Sequence, residues 1–137
     1  MAKGFKRIEY RDVFGTPDFQ KKLKFYAGRE NGRFVMGVST TVAEVIEVIG
    51  DTLLTGTTMD EEFVIIPGAN PEDDGAMKFN PVINPMLMAR FVPWRNPVVS
   101  EYLDQRLKTD GLWEFQGYWD ADFEWLVFPL KGGKEVE

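Results

Sequence analysis

The sequence predicts an α+β fold: a single domain, residues 1–137, with a mainly antiparallel sheet of six to eight strands and two helices. Three observations carry this expectation. Asn31-Gly32 joins two alternating segments, and both residues tolerate the positive φ of a type I′ hairpin turn. Directly after the hairpin, Val42, Val45, Ile46, Ile49 and Leu53 recur at helical spacing. Beyond them, apolar runs at 63–66 and 86–92 and an aromatic stretch over 112–130 return the pattern to strands.

Taken in order, Phe5–Phe14 reads as a first strand, ended by Gly15-Thr16-Pro17. Counting outward from Asn31-Gly32 pairs Glu30 with Arg33, Arg29 with Phe34, Ala27 with Met36 and Phe25 with Val38. The last three pairs share a face that Leu23 extends, which makes it the core side. Thr41-Val-Ala-Glu44 has the spacing of a capping box and predicts the start of the first long helix. Thr55–Thr58 reads as a loop, and Phe63–Ile66 as a buried strand closed by Pro67-Gly68. Residues 67–85 form an irregular loop rich in proline, with a brief strand at Met77–Phe79. Met86–Val92 is a further strand. Asn96 caps and Pro97 opens the second helix, which Gly111 closes. Residues 112–130 form a second hairpin about Asp120-Ala121-Asp122, and 131–137 form a solvated tail.

Composition excludes much chemistry. The chain has no cysteine and no histidine. Thiolate nucleophiles, Ser-His-Asp and Cys-His arrangements, and His- or Cys-ligated metals are therefore absent. No Walker A, dinucleotide-binding glycine fingerprint or Gly-x-Ser-x-Gly occurs. The expectation is a non-enzymatic protein without cofactors. With no apolar run near the ~20 residues of a membrane helix and a polar start at Met1–Arg7, the expected compartment is cytoplasmic. A small chain of this composition suits a bacterial or bacteriophage accessory protein, the latter placed in a virion or host cytoplasm.

Charge is unevenly placed. Residues 1–33 carry nine Lys/Arg against four Asp/Glu, whereas residues 34–137 carry seven against eighteen. Such a basic first quarter on an acidic body suits contact with a protein partner, as a homo-oligomer, a larger assembly or an inhibitor of a target. Lys21, Lys22, Lys24 and Arg33 are the candidate basic contacts, with Glu61, Glu62 and Asp122 as acidic counterparts. Solvated strand faces would carry the same charges. The alternative is a small anionic ligand, such as a nucleotide, held by Arg90, Trp94 and Arg95 beside the Asn96-Pro97 helix start. Trp113, Trp119 and Trp125 crowd the last hairpin, as core, stacking platform or interface. Four acids, Glu114, Asp120, Asp122 and Glu124, surround them without an intervening cation, which disfavours nucleic acid there. Asp120-x-Asp122-x-Glu124 would align three carboxylates if the segment stayed extended.

Overall fold

A computed structural model describes residues 10–84, 89–92, 100, 101, 104, 105 and 110–136. The chain begins with α1 (Tyr10–Phe14) and α2 (Pro17–Gln20), then β1 (Lys24–Glu30), β2 (Arg33–Ser39) and α3 (Thr40–Ile49). There follow β3 (Thr52–Thr57), β4 (Glu62–Pro67), β5 (Met77–Lys78), β6 (Val82–Asn84) and β7 (Ala89–Val92). The C-terminal part contributes β8 (Gly111–Gln116), β9 (Tyr118–Asp120), β10 (Trp125–Pro129), a 3-10 turn (Leu130–Gly132) and β11 (Lys134–Glu135). The class is α+β, and every strand pairing among the described residues is antiparallel. The strands divide between two sheets, one of six in the order β11-β8-β1-β2-β7-β6 and one of five in the order β5-β3-β4-β10-β9.

The β1–β2 hairpin has the register counted from its turn, from Phe25↔Val38 to Glu30↔Arg33. Asn31 and Gly32 stand at φ 53° and 77°, the left-handed pair a type I′ turn requires. Leu23, Phe25, Ala27, Met36 and Val38 are all buried on the core side. The five-stranded sheet packs Phe63, Ile65, Leu126 and Phe128 against them, and α3 closes the core with Val42, Val45 and Ile46. Phe25 lies at the centre: its ring stacks on Phe63 at 4.3 Å and tilts against Phe115 and Phe128 at 5.8 and 5.7 Å. One continuous apolar cluster thus joins both sheets and the helix.

Several local expectations are corrected. Within Phe5–Phe14, only Tyr10–Phe14 is described, and it is helical. Phe14 is buried there, stacked on Phe19 and edge-on to Trp119, a contact that outweighs the strand-like alternation. The α3 cap is Ser39, not Thr41, which lies buried inside the first turn. Ser39 ends β2 and ties three segments with one hydroxyl. Its Oγ accepts from the Val42 and Lys24 amides and donates to the Lys22 carbonyl. A chain already fixed by the hairpin reaches the helix two residues before the sequence pattern implies. Ser39→Ala is therefore expected to cost about 2 kcal/mol, the upper end for loss of a cap, because two further hydrogen bonds go with it. Chemical denaturation measures this directly, and a loss below about 0.5 kcal/mol would contradict it.

Further along, α3 stops at Ile49, so Leu53 belongs to β3 and Thr55–Thr57 is strand rather than loop. β-Branched threonines suit that pleated surface. Residues 112–119 do not form one arm of a hairpin. β8 pairs with β1 in the six-stranded sheet, and the chain crosses at Gly117 so that β9 pairs with β10 in the other. The crossing needs glycine: a Cβ there would lie 2.5 Å from Phe128 Cε1 and 2.8 Å from the Val127 carbonyl oxygen. The tail, expected to be solvated, is largely exposed among its described residues and also adds β11 to β8, with the Val136 amide donating to the Leu112 carbonyl at 2.8 Å. The second predicted helix, from Asn96, falls mostly outside the described residues.

Candidate functional site

The uneven charge of the sequence becomes two differently charged regions. Residues 40–77 contain nine Asp/Glu and no Lys or Arg, and residues 109–130 contain five and none. β3, β4, β9 and β10 come from these stretches. The sole cation on the strands of the five-stranded sheet is Lys78 on edge strand β5, and it pairs with Asp51 at 3.3 Å. Its strands carry two acids, Glu62 and Asp120; most other acids of these stretches lie on α3 and in the turns and loops between strands, and Glu114 lies on β8 of the other sheet.

The predicted basic residues lie at the two ends of β1. Lys21 and Lys22 are exposed in the turn between α2 and β1, with no ion pair among the described residues. Arg33 is exposed at the opposite end, where β2 begins. Lys24 differs, because Glu114 on neighbouring β8 accepts from its ammonium. That hydrogen bond holds the Lys24 pKa above its ordinary value, against the opposing effect of burial. Lys24 is thus committed within the chain.

The acidic candidates fall at opposite ends of β10. Glu61 precedes β4 and Glu62 opens it; the Glu61 carbonyl accepts from the Leu130 amide, and Glu62 pairs in register with Pro129. The Glu62 carboxylate accepts from the Thr58 hydroxyl at 3.1 Å and the Tyr118 hydroxyl at 3.4 Å. Burial raises the Tyr118 pKa, and the charge of Glu62 adds to it, so the phenol stays a neutral donor at physiological pH. Asp122 is exposed in the β9–β10 turn. That turn is organised by Asp120, whose Oδ1 accepts from the amides of Asp122 and Phe123 at 3.0 and 3.2 Å. Residues 121–124 are consequently turned, with Glu124 at φ 58°, so the three carboxylates are not aligned on one extended face. Among the described residues no cluster of three acids is placed to hold a metal.

The aromatic end splits between core and surface. Trp119, Phe115 and Phe128 are buried, whereas Phe123 is 64% exposed and Tyr118 is 39% exposed. Phe123 stacks on half-buried Trp125 with centroids 4.8 Å apart. The β9–β10 turn therefore presents an aromatic pair beside Asp122. An isolated Phe within Asp120-Ala-Asp-Phe-Glu124 is the sequence signal for it, since nothing else in that turn is large and apolar.

At the far end of the hairpin is a pocket of about 360 Å³ that sequence reasoning did not anticipate. Phe34, Met36 and Val92 line it, with Arg33 and Glu30 at the rim. The two-residue turn leaves the inward pair Arg29/Phe34 as the last rung of the core, and the space opens beyond it. Of the alternative anion site, Arg90 alone is among the described residues. Arg90 lies half-buried on β7 opposite Val38, facing the core side, and does not line the pocket; Trp94 and Arg95 lie outside the described residues. No family model, curated protein or solved structure matches the sequence.

Proposed function

We propose that this chain is a non-enzymatic interaction protein, an assembly subunit whose exposed basic residues meet acidic turns of a neighbouring copy. The observation that carries the reading is the uneven charge: residues 40–77 hold nine Asp/Glu and no Lys or Arg, while Lys21, Lys22 and Arg33 stand exposed elsewhere. One patch then docks on a different patch, a heterologous contact that closes into a ring or runs on as a filament. Among the described residues no helix is long and apolar enough to cross a membrane.

Reversing Lys21 and Lys22 to glutamate tests the reading. Neither side chain has an ion-pair partner within the described residues, so the fold should keep its stability to within about 0.5 kcal/mol. The double variant is expected to associate more weakly by light scattering while keeping a native circular dichroism spectrum. Assembly as large as that of the native chain would contradict the role given to these lysines.

A further inference from the structure

The pocket at the hairpin end and the aromatic β9–β10 turn offer complementary features. We propose that Phe123 of one copy seats in the pocket formed by Phe34, Met36 and Val92 of a second copy, head to tail, with Asp122 beside Arg33. This inference rests on the assembly reading and names its contact. The pocket is small: about 360 Å³ is near the lower bound of roughly 300 Å³ for ligand sites, a size that suits one or two side chains. Met36 and Val92, only 3% and 7% exposed, give it an apolar part, while Glu30, Asn31 and Arg33 make the accessible lining more polar than apolar. The opposite partner is present on the same chain. Phe123 is 64% exposed and held by its stack on Trp125, so little side-chain freedom is lost on insertion. Exposed aromatics that fill a pocket are the usual anchors of an interface.

Charge sets the direction. The turn carries Asp122 exposed next to Phe123, and the rim carries Arg33 exposed next to Phe34. Glu30 is also on the rim and opposes an incoming carboxylate, which favours a pose that places Asp122 on the Arg33 side. Phe123 does not line the pocket of its own chain. β8 starts opposite Arg29, beside the pocket, and runs away from it to Gln116 opposite Lys24 before β9 leads to the turn. Because the two patches are formed by different residues, the contact propagates from copy to copy. An apolar knob entering an unrelated pocket is the arrangement that makes open chains of subunits.

Phe123→Ala removes the knob and leaves the pocket; Arg33→Glu alters the rim and leaves the knob. Each is exposed, so circular dichroism and thermal midpoint should stay native, and each variant alone is expected to associate at least tenfold more weakly by sedimentation velocity. Mixed in equal amounts, they are expected to form a dimer and nothing larger, because Phe123 of the Arg33→Glu chain fills the intact pocket of the Phe123→Ala chain. Native-like association of both single variants, or no dimer on mixing, would overturn this contact while leaving the assembly reading in place. A native chain that is monomeric throughout would instead remove the assembly reading itself.

Discussion

Phe25→Ala is expected to cost about 3–5 kcal/mol, the range for deleting a buried phenylalanine side chain. The site argues for the upper half of that range. Phe25 is fully buried and touches rings from both sheets: Phe63 and Phe128 in one, Phe115 in the other. All of its ring neighbours are themselves anchored on strands, so the space left by the ring is not readily refilled. Against a total stability of roughly 5–15 kcal/mol, such a loss leaves a substantial unfolded fraction. Urea unfolding should show a large drop in midpoint with the native slope. A loss under about 1 kcal/mol would mean that the two sheets do not meet at Phe25.

Gly28→Ala is expected to destabilise by about 3 kcal/mol or more, at the severe end for forcing atoms into a packed interior. Gly28 lies mid-strand in β1, between Val35 on β2 and Leu112 on β8. A Cβ there would fall 2.9 Å from Leu112 Cα and nearer still to the Gly111 carbonyl oxygen. These are backbone atoms, which cannot swing aside as a flexible side chain would. The start of β8 must then peel from β1, and the Arg29↔Gly111 rung goes with it. Gly56→Ala on β3 is the matched control, since a Cβ there meets nothing within 4 Å. It should be neutral or stabilise by up to about 1 kcal/mol through the unfolded chain. Equal effects of the two substitutions in thermal unfolding would contradict the close approach of β1 and β8.

The parts legible in the sequence were those with short-range causes. A two-residue Asn-Gly turn dictates its own register, so every pair from Phe25↔Val38 outward could be counted. The parts that were not legible depend on contacts distant in sequence. Ser39 becomes the helix cap because Lys22 and Lys24, from the partner strand's approach, meet its hydroxyl. Gly117 looks like an ordinary strand glycine until β9 is seen to leave β8 for the other sheet. Tyr10–Phe14 alternates like a strand but folds as a helix because Phe14 finds Phe19 and Trp119. For the candidate site, the charge division was legible as composition. Which charges remain outward was not: Lys24 is taken by Glu114, Glu62 by Thr58 and Tyr118, and the Asp120 cap turns Asp122 and Phe123 to the surface. The pocket beyond Phe34 arises only where β7 brings Val92 alongside β2.

The central claim is that exposed basic residues and acidic turns of this chain join copy to copy, and sedimentation velocity of the native protein across a salt series tests it most directly. The Debye length falls from about 10 Å at 0.1 M salt to about 3 Å at 1 M, so contacts between exposed charges weaken over that range. Association at low salt that declines toward the 15.7 kDa monomer at high salt is the expected result. A 15.7 kDa species at every salt and protein concentration would contradict it.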